Sequence, residues 1–429
     1  MKIAVFVEYL PPHMGSDYRI YQIMKELAKK NFEISFLVFP PLRALGGFTD
    51  NSLENYLSHR EHSKLPRNCS SEYLKTPKTI AKLWSKVIPL AYFLTVMVFS
   101  VRCFKLLKSI NPNIVIVAHP SYHCGLVGAI TARILNIPIV LDYPDLWTPM
   151  TEETLSWKHG TFKSAILEKI EYIPVRLASQ IIVVTNTIKD RILLKGINKS
   201  KVTSLPNGVS FTELQSKPAI ESDSLDFSNK KVILFCGRLE LWSGVDLLLE
   251  AIQIVQRFFP NSIFVIVGDG SYRKSIEKEI ESRNLKKSIH VTGFLPREQV
   301  WTVIKRADVC LSFFSEGDTK KAAMPIKLLE YMAFGKPIVT SECMGLFGFL
   351  KDHENVLVTR NDSNEIASAI LVLLNNNALA SSLGANAQRL ARLFDWEQLG
   401  RNFEKACLSV VNLEKLETSA SEDSGRLFS

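Results

Sequence analysis

An arginine directly after a glycine, at the end of an apolar run, is the first chemical signal in the chain. Gly237-Arg238-Leu239 follows Val232–Cys236, and Gly244 opens an apolar helix a few residues on. A planar, permanently charged guanidinium at a strand end suits a diphosphate. Pairing with the neighbouring acid, Glu240, is the plainer alternative. The second signal is Pro325-Ile326-Lys327-Leu328-Leu329-Glu330. Pro325 starts a helix, whose free N–H groups and positive dipole end form a phosphate site. Lys327 adds a point charge there, with Leu328 and Leu329 in the same first turn. Glu330, three residues beyond Lys327, lies on the same helical face and can accept from two ribose hydroxyls. Lys320 and Lys321, just before, are further sources of positive charge. The third signal is Gly15-Ser16 after the first apolar run, where a small-residue turn lets backbone N–H groups approach an anion. Glycine used only for turn geometry is the alternative there.

Taken in order, Pro206-Asn207-Gly208-Val209, Gly237-Arg238-Leu239, Val267-Gly268-Asp269-Gly270 and Pro325 to Ala333 resemble the retaining glycosyltransferases of family 4 (glycosyl transferases group 1), over roughly residues 1–410. That resemblance implies the GT-B fold: α/β, two Rossmann-like domains facing across a cleft. It implies a nucleotide-sugar donor, retention of configuration, and no cofactor or obligatory metal. Arg238 would grip the donor diphosphate and stabilise the leaving charge. Glu330 would take the ribose, and Phe294 and Leu295 would lie against the base. Gly15 and Ser16 would close on donor and acceptor. Two departures stand out. Ser243 occupies the donor-loop position where the family usually has Lys, and Ala322 the position of a frequent first Glu. No His aligns in the segment Asp142-Tyr143-Pro144-Asp145, so Asp145 is the candidate for orienting an acceptor or donor hydroxyl. His119, after Val115-Ile116-Val117-Ala118, is the other catalytic candidate, with a structural strand-end hydrogen bond as its alternative.

These residues need a frame of parallel strands. Short apolar runs alternate with amphipathic stretches along the whole chain, the pattern of parallel sheets covered on both faces. Six runs fall in each half, from Ile3–Val7 to Val202–Leu205 and from Val232–Cys236 to Val356–Val358. Ile20, Ile23, Met24, Leu27 and Ala28 mark one face of the first helix. A polar break at 211–230 divides the chain. The expected organisation is an acceptor domain over 1–210, a donor domain over 211–395, a helix over 396–415 returning to the first domain, and a disordered tail over 416–429.

Charge separates the halves. Residues 1–210 hold 26 basic and 15 acidic residues, a net +11, while the remainder is −2. Fifteen uncharged residues lie between Lys86 and Arg102, with Trp84 just before and Lys or Arg on both sides. That run is short for a span, which needs about 18–20 residues, and suits docking on an anionic membrane. The expected partners are thus a nucleotide-sugar donor, a glycan or lipid-linked acceptor and an anionic membrane surface, without nucleic acid. Seven unpaired cysteines and no recognisable signal peptide point to the cytoplasm, at the inner face of the cell membrane. No Asp/Glu/His cluster suggests a metal. The functional expectation is glycosyl transfer in cell-surface polysaccharide or glycolipid assembly. A catalytically silent, membrane-associated partner subunit and a sugar-nucleotide epimerase are the alternatives.

Overall fold

A computed structural model describes residues 1–8, 10, 15–40, 65–83, 87–155, 157–216, 227, 230–314, 317, 322–341 and 348–426. Trp84, Lys86, Lys320, Lys321 and most of the 211–230 break lie outside the described residues. The chain runs β1 (Lys2–Val7), α1 (Gly15–Ala28), β2 (Glu33–Val38), β3 (Cys69–Tyr73), α2 (Lys78–Leu83), α3 (Ile88–Ile110), β4 (Ile114–Val117), α4 (Cys124–Ile134), β5 (Ile139–Tyr143), α5 (Trp147–Leu155), α6 (Phe162–Leu177), β6 (Gln180–Val183), α7 (Asn186–Leu194), β7 (Val202–Ser204) and α8 (Phe211–Ser216). It continues through β8 (Lys231–Cys236), α9 (Val245–Phe258), β9 (Ser262–Val267), α10 (Arg273–Ser282), β10 (Ile289–Gly293), α11 (Arg297–Arg306), β11 (Val309–Ser312), α12 (Ile326–Ala333), β12 (Ile338–Ser341), β13 (Leu357–Thr359), α13 (Ser363–Asn375), α14 (Asn377–Ala391) and α15 (Trp396–Arg426).

Two compact units result. The first comprises 1–148, 158–206 and 396–429, the second 149–157 and 207–395. The first holds a seven-stranded sheet in the order β3-β2-β1-β4-β5-β6-β7, the second a six-stranded sheet in the order β10-β9-β8-β11-β12-β13. Every pairing is parallel. This is the α/β architecture expected. In each sheet the order reverses beside the first strand, at β1/β4 and at β8/β11, and sheets of this kind bind ligands at the carboxyl ends beside such a switch. The apolar runs form these strands because both faces are covered: β4, β5, β9, β11 and β12 are buried at every residue. The apolar face expected for α1 is buried throughout.

Three features differ from expectation. β3 is a polar strand, Cys-Ser-Ser-Glu-Tyr, at the sheet edge. It pairs on one side only, so it carries no apolar run. α15 continues to Arg426 through the segment expected to be a disordered tail. Leu413, Glu414, Lys415, Leu416 and Glu417 are good helix formers, and neither Gly nor Pro interrupts them before Gly425. α3 extends two turns beyond the uncharged run. Its stretch Leu90–Ile110 is long and apolar enough to cross a membrane by length and composition. One face of it is nonetheless core: Ala91, Thr95, Phe99, Cys103 and Leu107 are buried at four-residue intervals.

The carboxyl edge of the first sheet is tied by one buried arginine. Arg19, on α1, has no exposure to solvent. Its Nε and Nη2 donate to the Asp142 carboxylate at 2.9 and 3.1 Å. Nη2 also donates to the Leu205 carbonyl at 2.9 Å, and Nη1 to the Pro206 carbonyl at 2.6 Å. One side chain thus joins α1, the end of β5 and the backbone leaving β7. Removing one member of a buried pair leaves an uncompensated charge, at a cost of about 3–5 kcal/mol. Arg19→Ala should lower the free energy of urea unfolding by that amount. An unfolding midpoint equal to wild type contradicts this account.

Candidate active site

The chemistry of the second unit sits on two loops that leave almost no space between them. Gly237 follows β8, and its N–H donates to the Val267 carbonyl at 2.9 Å. Leu239 N–H donates to the Asp269 carbonyl at 3.0 Å, and Tyr272 N–H to the Leu239 carbonyl at 2.9 Å. A Cβ on Gly268 would lie 1.8 Å from the Gly237 oxygen, and one on Gly270 would lie 2.2 Å from the Leu239 oxygen. The Gly-Asp-Gly loop after β9 therefore backs the Gly-Arg-Leu turn after β8, and only glycine fits at both positions.

Lys327 arrives at the same turn from α12. Its Nζ is 3.2 Å from where a Gly237 Cβ would stand, and 4.0 Å above the Phe235 ring. Lys327 thus reaches the carboxyl end of β8, one residue before Arg238 in the chain. Arg238 is paired with Glu240, the plainer role weighed for it, and its side chain keeps 35% of its exposure. Glu240 is buried and also accepts from the Ser271 hydroxyl. An anchored guanidinium of this kind is preorganised for an anion. Ser243 is different. It is buried, and its hydroxyl donates to the Glu240 carbonyl at 2.6 Å. The hydroxyl is used inside the loop.

α12 is held in place from several sides. Asn207 donates from Nδ2 to the Met324 carbonyl at 2.7 Å, just before the helix starts. The buried Tyr331 hydroxyl accepts from the Cys236 N–H at 2.8 Å, tying α12 to β8. Leu328 and Leu329 are fully buried, and the Leu328 N–H donates to the Pro325 carbonyl at 3.2 Å. Their side chains pack in the core and anchor the helix. Glu330 is also buried. Its Oε1 accepts from the Trp301 indole N–H at 3.0 Å and from the Arg297 guanidinium. Arg297 and Trp301 lie one turn apart on α11, directly after Phe294, which is 44% exposed, and the half-buried Leu295. The sequence reading missed Arg297 and Trp301. Their i, i+4 spacing at the start of a polar helix was the available signal.

In the first unit, Gly15 and Ser16 form the first residues of α1. His119 lies just past β4, at the switch between β1 and β4. It is buried, neither ring nitrogen has a hydrogen bond, and Asp17 Oδ1 is 3.4 Å from Nε2. Burial pushes its pKa down to about 4, against the pull of Glu8. His119 is therefore a neutral imidazole at neutral pH. Glu8 itself, at the end of β1, stands 3.7 Å from His123 Nδ1. The Trp147 ring packs edge-on to His119, centroids 5.1 Å apart. Asp145 lies two residues before Trp147, on a turn pinned by buried Glu171, which accepts from the Thr148 N–H at 2.9 Å and from the Tyr143 hydroxyl. Burial, reinforced by the charge of Asp142 and opposed by Arg19, raises Asp145 to about 6. His119 thus sits with Glu8 and Asp17, and Asp145 with Asp142 and Arg19; Glu8, Asp17, Arg19 and Glu171 were not anticipated. Among the described residues, no group of three or more His, Cys, Asp or Glu side chains could hold a metal ion.

Comparison with known proteins agrees with this geometry. Residues 15–213 match the model of Glycosyltransferase Family 4, and residues 216–390 that of Glycosyl transferases group 1. An uncharacterized glycosyltransferase of Methanocaldococcus jannaschii is 25% identical over 238 residues, covering 55% of this chain and 59% of that protein. The UDP-Gal:alpha-D-GlcNAc-diphosphoundecaprenol alpha-1,3-galactosyltransferase of Escherichia coli is 26% identical, over 65% of this chain and 70% of its own. Among solved structures, Anabaena HepE in complex with UDP-glucose superposes with a TM-score of 0.68 at 17% identity, covering 95% of this chain and 100% of that one. The two matched models take in nearly the whole chain, each on its own α/β unit, and the protein belongs to the family 4, group 1 glycosyltransferases of the GT-B fold.

Proposed function

We propose that the protein transfers a sugar from a nucleoside diphosphate sugar to a hydroxyl of a glycan or lipid-linked acceptor, with retention and without a metal or other cofactor. The setting is cell-surface polysaccharide or glycolipid assembly in the cytoplasm, peripherally at the inner face of the cell membrane. The observation that carries the reading is Lys327, on the helix that presents Glu330, reaching Gly237, the residue directly before Arg238. As the bond from the anomeric carbon to the diphosphate breaks, negative charge grows on the leaving group. Arg238, Lys327 and the α12 N-terminus stabilise that charge where it develops. Glu330 reads the ribose with its Oε2, while Phe294 and Leu295 meet the base. Asp145, as a carboxylate, orients the acceptor hydroxyl, and neutral His119 supports that end of the site. The Escherichia coli relative, named for a UDP-galactose donor and a diphosphoundecaprenol-linked acceptor, favours this donor and acceptor class.

The decisive experiment is turnover of a panel of nucleotide sugars by the purified chain, with UDP binding measured by calorimetry. Arg238→Ala loses a charge-assisted hydrogen bond of about 1.5–3 kcal/mol, so donor turnover should fall about ten- to hundredfold. Glu330→Gln should weaken UDP binding about tenfold with the fold intact. Unchanged turnover in the first variant, or unchanged binding in the second, removes that residue from the site. Nucleotide binding without turnover of any donor in the wild type favours the silent partner subunit.

Trp301→Phe keeps an aromatic side chain, though a smaller one, and removes the indole N–H that holds Glu330. It should raise the donor KM several-fold with kcat little changed, and narrow the preference for UDP over 2′-deoxy-UDP. Equal preference ratios in variant and wild type would show that Trp301 has only a packing role.

The pH profile tests Asp145. Its pKa is raised to about 6, so the carboxylate is lost as pH falls through 6. The kcat/KM profile should have an acid limb near pH 6, absent from the slower Asp145→Asn variant. A limb that persists in that variant belongs to another group.

A further inference from the structure

The outer surface of the first unit carries an apolar, cationic face on two helices, only one of which the sequence singles out. α4 packs between α3 and α6 and is buried over nearly its whole length. Those two helices therefore flank it and form the outside of the layer. On α3, Leu90, Phe93, Met97 and Val101 recur along one face and are exposed, Phe93 by 58%. Lys105 and Lys108 continue the same face toward the carboxyl end, and the helix contains no acidic residue. On α6, Phe162, Ile166 and Ile173 are exposed, Phe162 by 82%. Lys169 and Arg176 fall on that face at helical spacing, with Lys163 at its margin. Of the two acids of α6, Glu171 is buried, and Glu168 lies off the face and is paired with Lys195 at 2.8 Å.

Exposed apolar side chains scattered singly are ordinary; two helices of one layer that both expose them in rows are not. We propose that the outer faces of α3 and α6 together form one docking surface, and that its partner is an anionic lipid bilayer. Bulky apolar groups interleaved with Lys and Arg, and without acids, match the boundary between acyl chains and anionic headgroups. A spanning role does not fit α3, because its opposite face, from Ala91 to Leu107, is part of the core. The inference rests on the peripheral-membrane part of the proposed function and extends it to α6.

The test is co-sedimentation of the full chain with phosphatidylcholine vesicles, with and without phosphatidylglycerol as a third of the lipid, at low and high salt. Wild type should bind the anionic vesicles and be released by salt. Phe93→Glu/Met97→Glu on α3 and Phe162→Glu/Ile166→Glu on α6 should each lower partitioning about tenfold or more. UDP binding and thermal unfolding should stay as in wild type, which excludes misfolding as the cause. An α6 double variant that binds vesicles like wild type overturns the two-helix surface while leaving membrane binding intact. A wild type that ignores anionic vesicles overturns the membrane reading itself. If light scattering finds a dimer that the α6 variant dissolves, a second copy covers this face and the proposal fails.

Discussion

A guanidinium without access to water has to be met by protein on every side. Arg19 meets that demand with one carboxylate and two backbone carbonyls, drawn from the end of β5 and the exit of β7. The desolvation of such a pair is large, so it persists only where its geometry is nearly complete. The consequence spreads along the sheet edge. Asp142 is fixed as the countercharge, and Asp145 is left close to both members of the pair. Asp142 repels its ionised form, Arg19 attracts it, and burial tips the balance upward. A carboxyl that changes charge near pH 6 is thus a product of burial beside an ion pair that holds the fold. Glu171, pinning the same turn through Thr148 and Tyr143, keeps that carboxyl and the Trp147 ring from drifting.

The second unit reaches a charged site by a different route. There the backbone does the positioning, through glycines that let two loops touch and through the hydroxyl of Tyr331. The cations are then added at the surface of that rigid turn, Arg238 anchored by a buried acid and Lys327 over an aromatic ring. Anchoring by Glu240 and availability to an anion are compatible, since the side chain stays partly exposed. The guanidinium has five N–H donors, so the bond to Glu240 leaves others for an anion.

Much of this was legible in the residues, because parallel strands buried on both faces leave an unmistakable apolar run. Each of the twelve runs overlaps a strand, with ends that differ by one or two residues, and the face of α1 is as its spacing implies. What escaped notice has physical reasons. β3 is an edge strand, so its side chains need not be apolar. The apolar positions of α6 are too few to separate from an ordinary amphipathic helix until exposure is known. Arg297 and Trp301 act on Glu330 from another helix, and sequence spacing carries no information about such a meeting. Ser243 occupies the position implied by family resemblance but is turned inward by its own hydrogen bond to Glu240.

The contact between the two glycine loops limits how such an enzyme can diversify. A Cβ on either Gly268 or Gly270 would collide with backbone, not with a side chain that could swing away. Neither loop can therefore drift in sequence or length unless the other moves with it. Residues around this locked pair, such as the exposed Phe294 or the pair that grips Glu330, are free of that constraint. The two loops therefore act as one rigid piece of backbone.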